Sequence, residues 1–351
     1  MTLLHVLKKH TTIVCVMVSV LVSFTVTQAF NNSYFYRASS FWDEPRFERS
    51  QLTSLALELT GGSTCISRDK CGHKVPLLSI LSAKKPLCNG IVDVFEVDCH
   101  YTQNFCSGIF TEITVPFTVV QIRPSFKTTC NNCFPNHSHP SIIAQKASSS
   151  GCRRTQLIDS TVVVGWTNNN ENTAVLDFID TTVKVGALLP TSKQPCSDNP
   201  LNIPLGYNNN WGILGSATVS AGIYDWLTAG AHIDGILFPK TNKSIGNVWR
   251  VGAYAKADHL YKGLSFALAF SYEQQNKITQ QHGVTCHLPD PLIKGWSRSL
   301  VHMFIEYDFI RYECLCYPTI MLIYNRQLTG KRVFQTNTLG SYLACSINWC
   351  F

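Results

Sequence analysis

The chain has 351 residues with 29 basic and 22 acidic side chains, a formal charge of +7, and only 15% charged residues. Its basic residues are scattered, which excludes the clustered footprint of a nucleic-acid-binding face. Past residue 29 no unbroken apolar stretch is long enough for a membrane-crossing helix, since the best window, Val301 to Ile323, is interrupted by Glu306, Asp308, Arg311 and Glu313.

At the start, Lys8 and Lys9 precede the apolar run TTIVCVMVSVLVSFTV, and Thr27-Gln28-Ala29 puts small side chains at a cleavage point. This pattern predicts a secretory signal peptide over 1–29. No cysteine directly follows that point, so lipid attachment is not expected. Residues 30–50 are expected as an N-terminal periplasmic segment and 51–351 as one domain.

That domain alternates with period two. The earlier candidate strands are Leu52 to Thr60, Ile91 to Tyr101, Phe110 to Ile122, Ser160 to Trp166 and Phe178 to Leu189. In WGILGSATVSAGI, Ile213, Ala217, Val219, Ala221 and Ile223 oppose Ser216, Thr218, Ser220 and Gly222; LTAGAHIDGILF follows after Tyr224-Asp225-Trp226. The rows continue through Trp249 to Ala257, Leu264 to Glu273, Val301 to Phe309, Tyr317 to Tyr324, and Leu339 to Phe351. Successive side chains leave opposite faces of a strand. Several segments reach the nine to eleven residues that a tilted strand needs to cross a bilayer. Connections run long, short, long, short: 61–90, 102–109, 123–159, 167–177, 190–210, Tyr224 to Trp226, 239–247, Asp258 to Lys262, 274–297, 310–314 and 325–336. Outer-membrane barrels have this asymmetry, with short periplasmic turns and longer outer loops.

The expected fold is therefore all-β: a single antiparallel transmembrane barrel of about twelve strands, with ten to fourteen as the range. An even count with short periplasmic links puts both termini in the periplasm. The competing fold, a secreted antiparallel sandwich, calls for shorter strands and bulkier buried faces than these rows rich in Ala and Gly. A sheet in lipid must close on itself, so the last strand is expected to pair with the first.

The strand ending in Trp349 and Phe351 resembles the C-terminal assembly signal of bacterial outer-membrane barrels, which implies the barrel-assembly machinery as a partner. FYRASSFWDEPRF, LTGGST, WGILGSATVSAGIYDWLTAGAHIDGILF and LTGKRVFQTNTLGSYLACSINWCF resemble a porin-like family of such barrels. The resemblance implies the fold and the outer membrane of a Gram-negative-type bacterium; it brings no activity and no site residues.

Of 15 cysteines, Cys15 falls in the leader. The other fourteen suit disulfides in an oxidising compartment: Cys65, Cys71 and Cys88 share one long loop, Cys130, Cys133 and Cys152 another, and Cys99 and Cys106 flank a tight link. Free thiols facing lipid or lumen, such as Cys345, are the alternative. Cys130, Cys133, His137 and His139 have the types and spacing for a tetrahedral metal, yet the ligands are crowded and an oxidised pair would bind nothing. No cofactor is expected.

The predicted interior carries Glu58, Lys184, His232, Asp234, Arg250, Lys256, Glu273, His302 and Glu306, and both signs are present. Tyr224, Trp226, Tyr261, Tyr307, Trp349 and Phe351 fit an interfacial girdle. The asparagine runs NNNEN at 168–172 and NNN at 208–210 read as turns. His232 and Asp234, with Ser216, Thr218 and Ser220 on the next strand, hold the ingredients of a hydrolase, but a polar lumen contains such residues anyway, so no enzyme is expected. The expected function is passive diffusion of small hydrophilic solutes. The alternative is an adhesin or receptor barrel capped by disulfide-stapled loops. Bilayer lipid and small solutes are the expected partners, and assembly into a homo-oligomer is left open.

Overall fold

A computed structural model describes residues 52–64, 66–76, 90–124, 152–171, 173, 175–192, 206–207, 210–224, 226–239, 246–261, 263–277, 295–309, 316–335 and 337–348. Its strands are β1 (Leu52–Thr64), β2 (Ile66–Arg68), β3 (Lys74–Pro76), β4 (Gly90–Asn104), β5 (Ile109–Pro124), β6 (Cys152–Leu157), β7 (Ser160–Glu171), β8 (Phe178–Leu189), β9 (Gly212–Tyr224), β10 (Leu227–Leu237), β11 (Val248–Tyr261), β12 (Leu264–Gln275), β13 (Trp296–Asp308), β14 (Cys316–Lys331), β15 (Val333–Phe334) and β16 (Asn337–Asn348).

Twelve of these, β1, β4, β5, β7 to β14 and β16, form one closed antiparallel barrel. Closure is made by β1 and β16, paired from Leu52↔Asn348 to Gly61↔Leu339. A twelve-residue strand is roughly 40 Å long, which tilted in a barrel spans about 30 Å, one hydrocarbon core. The links of β4–β5, β7–β8, β9–β10, β11–β12 and β13–β14 are short and share one end; the longer connections lie at the other.

The pleat sorts the side chains. Along β12 the sequence LSFALAFSYEQQ reads exposed, buried, exposed, buried from Leu264 onward. Its exposed row, Leu264, Phe266, Leu268 and Phe270, joins Leu57, Phe117, Val164, Val185, Val219, Ile233, Ile305, Leu322 and Leu343 in a belt of large exposed apolar side chains among the described residues. A soluble protein rarely leaves such a patch uncovered; a bilayer covers it. At the short-link end Tyr224 stacks on Trp226 at 6.0 Å, and Tyr307 meets Phe309 edge-on at 4.8 Å.

The opposite row faces inward and is buried. It is not uniformly polar: Ala267, Phe304, Met321 and Ile323 form an apolar cluster against which Tyr342 packs. Successive register partners put them together, Ala267↔Phe304↔Ile323 and Glu306↔Met321↔Tyr342.

Several expected loops are sheet. Asn168 to Asn170 lie in β7, paired with Thr181, Asp180 and Ile179; the neighbouring ladder outweighs their turn preference. β11 runs through Asp258 to Tyr261 by way of a register shift, and β14 extends to Lys331. In the long connection after β1, β2 and β3 join β15, from the link between β14 and β16, in a small sheet of order β15–β2–β3. There Asp69 accepts from the backbone N–H groups of Cys71 (2.8 Å) and His73 (2.9 Å). Desolvation raises its pKa, but these bonds, His73's first, and the nearby His73 ring together outweigh it and hold the carboxyl below its ordinary range. FYRASSFWDEPRF, Trp349, Phe351, the proposed leader and the Cys130, Cys133, His137, His139 cluster lie outside the described residues.

β6 continues the line of β7 along β5, broken only at Ile158 and Asp159 opposite Pro116. Ile158 N–H donates to the Pro116 carbonyl at 3.0 Å. The break turns the Asp159 carboxylate onto the connection after β8, where it accepts from Ser192 N–H (3.0 Å) and from Tyr207 N–H (2.5 Å). Gly206 makes this possible: its φ is +81°, and an added Cβ would stand 2.5 Å from Asp159 Oδ2. Gly206→Ala is expected to cost about 1–2 kcal/mol from the strained φ and to release this segment while the barrel persists. Faster limited proteolysis between β8 and β9, with unchanged heat-modifiable mobility, checks it.

Candidate lumen site

Inside the wall, side chains from β9 to β16 join in an arc. Thr218 Oγ1 lies 3.1 Å from His232 Nδ1, and His232 Nε2 contacts Asp234. Arg250 Nε donates to Asp234 Oδ2 at 2.9 Å, and Arg298 Nε donates to Glu273. Next, Ser271 Oγ is 2.8 Å from His302 Nε2, His302 Nδ1 is 2.7 Å from Asn325 Oδ1, and Asn325 Nδ2 donates to Thr338 Oγ1 at 2.6 Å. Asn325 Oδ1 can only accept, so His302 carries its proton on Nδ1 and accepts from Ser271.

A second arc runs over β1, β4, β5 and β8. His100 Nδ1 lies 3.1 Å from Thr114 Oγ1, Thr118 Oγ1 donates to Glu96 at 3.1 Å, and Lys184 Nζ donates to Glu112 at 3.1 Å. Side chains of both arcs wall a cavity of about 130 Å³. Buried ion pairs such as these lose hydration and recover it only through their partners. Lys184, Asp234, Arg250, Glu273 and Arg298 are all at most 8% exposed.

Seven of the nine interior residues expected from sequence line this cavity: Glu58, Lys184, His232, Asp234, Arg250, Glu273 and His302. The other two are elsewhere. Lys256 Nζ donates to Glu306 at 3.0 Å and pairs with Asp258 at 2.9 Å, nearer the short links. The structure adds Glu96, Asp98, His100, Glu112, Asp159 and Arg298 to the lining. Glu96, Asp98 and His100 share one period-two row in FEVDCHY, and that alternation was the available signal.

Of the cysteines, Cys99 is a free, exposed thiol, so it does not bridge the β4–β5 link that it flanks; its strand position points it outward. Cys71 is also free and exposed. Cys345, named above as an example of the free-thiol alternative, is disulfide-bonded.

No protein-family model matches the chain, and no curated protein sequence does. Solved structures do. The COG4313 outer membrane channel from Pseudomonas putida F1 superposes with a TM-score of 0.62 at 10% identity, over 89% of this chain and 100% of that one. Two more distant likenesses are a deletion mutant of the TodX monoaromatic hydrocarbon channel (0.40, 9% identity, 92% and 96% covered) and the translocator domain of the autotransporter NalP from Neisseria meningitidis (0.39, 7%, 86% and 90%). At such identities the likeness is one of architecture: the chain has the closed twelve-stranded, all-antiparallel fold of an outer-membrane channel.

Proposed function

We propose that the protein is a passive outer-membrane channel for small polar solutes, that it prefers cations, and that transport involves no chemical step. The observation behind this reading is the charge around the lumen cavity. Among the described residues its lining holds seven carboxylates (Glu58, Glu96, Asp98, Glu112, Asp159, Asp234 and Glu273) and three permanent cations (Lys184, Arg250 and Arg298). Both signs are present, as the sequence indicates, but the carboxylates outnumber the cations and their excess lies on one side. Asp234–Arg250 and Glu273–Arg298 balance on one wall, whereas Glu58, Glu96, Asp98 and Glu112 on β1, β4 and β5 share a wall with Lys184 and His100. An excess of one sign in a low-dielectric conduit concentrates the opposite ion.

The test is a planar bilayer with a KCl gradient. Discrete conductance steps and a reversal potential on the cation side are expected, and Glu58→Gln with Asp98→Asn should lower the cation-to-anion permeability ratio severalfold. A refolded barrel that never conducts, or conducts with anion preference, overturns the reading. The inward-facing Ala267, Phe304, Met321 and Ile323 cluster favours a second reading, passage of small apolar molecules. Uptake of an aromatic solute into proteoliposomes that exclude ions would establish it.

A further inference from the structure

On the acidic wall, Glu58 of β1 stands directly opposite Asp98 of β4 in the register. Two carboxylates facing each other across a strand pair repel, and both line the lumen cavity. His100, two residues beyond Asp98, projects from the same face, so that one ligand atom from each of Glu58, Asp98 and His100 lies within 4.8 Å of the others. The imidazole is aimed: its Nδ1 sits 3.1 Å from Thr114 Oγ1, which turns Nε2 toward the carboxylates. That Nε2 is buried without a hydrogen-bond partner, and Glu58 Oε2 is 3.7 Å away. A proton on Nε2 would be too far from that oxygen for a good hydrogen bond. An ion between them removes both the repulsion and the unsatisfied nitrogen.

We propose that Glu58, Asp98 and His100 bind a divalent first-row transition cation, Zn²⁺ being the natural probe, in the acidic wall of the lumen. The imidazole selects this class over Mg²⁺ and Ca²⁺, which take oxygen ligands. Donors on a tetrahedral ion at about 2.0–2.1 Å stand roughly 3.4 Å apart, close to the 3.7 Å between His100 Nε2 and Glu58 Oε2. Thr114 then serves as the outer partner that fixes the ring. Three protein donors leave a fourth position to water or an anion. Only binding is claimed, so the site stands independently of whether the barrel conducts.

The experiment uses the full chain refolded in detergent, titrated with Co²⁺ and then with Zn²⁺ in competition. One equivalent should bind with a Co²⁺ absorption spectrum lacking a thiolate charge-transfer band, which separates this oxygen and nitrogen site from the cysteine-containing Asp69, Cys71, His73 cluster. His100→Ala and the shape-conserving Glu58→Gln should each weaken Zn²⁺ at least tenfold, whereas His73→Ala should leave it unchanged. Heat-modifiable mobility reports whether each variant is folded; should His100→Ala not refold, Glu58→Gln decides. Equal Zn²⁺ affinity in wild type and Glu58→Gln, or a thiolate band in the bound Co²⁺ spectrum, overturns the proposal. A protein that binds Zn²⁺ here yet never conducts overturns the channel reading and leaves this site intact.

Discussion

Arg250→Met is expected to lower the unfolding free energy of the barrel by about 3–5 kcal/mol, the cost of leaving one member of a buried ion pair alone. Asp234 accepts from the guanidinium at 2.9 Å and is 7% exposed. Without Arg250 the carboxylate keeps the His232 contact but loses its permanent counter-ion. The double variant Asp234→Leu with Arg250→Met should recover most of the loss, because it removes both charges. Urea unfolding followed by tryptophan fluorescence measures each. A single variant within about 0.5 kcal/mol of wild type would mean that water, and not the pair, solvates Asp234.

Leu268→Arg is expected to cost about 2–4 kcal/mol in a bilayer, and Leu264→Arg on the same face only about 0–1 kcal/mol. Leu268 is 48% exposed near the middle of β12, whereas Leu264 is at its short-link end. A side chain at mid-depth must carry its charge into hydrocarbon, whereas one at the rim can reach the headgroups. The measurement is reversible unfolding from liposomes. Equal costs at both positions would show that the outer belt is not immersed in lipid as its exposure pattern implies.

The parts of the fold most legible in the sequence are those where burial on one face and lipid on the other impose a strict alternation. β12 is the clearest: the Phe266, Leu268, Phe270 row is unambiguous in the sequence and lies on the exposed face. β7 was harder, because Asn168 to Asn170 follow local turn preference and are held as strand only by β8. β6 and the small β15–β2–β3 sheet gave no signal, being too short for alternation to stand above chance. Period two also identified Lys184, His232, Asp234, Arg250, Glu273 and His302 as inward. It missed Arg298 at the start of β13, and it gave no reason to group Glu96, Asp98 and His100 with Glu58.

What the sequence determined by itself is the face each side chain occupies, because that depends only on the pleat and on a solvent that differs between the two sides. Which charges meet was decided by the tertiary structure. Glu58 opposes Asp98, and Lys184 reaches Glu112, through a register fixed by closure of all twelve strands around the barrel. A shift of two residues at any seam would preserve every inside and outside assignment while changing the ionic partners across it. The alternation is a local property, and the charge pattern of the lumen is a property of the closed ring.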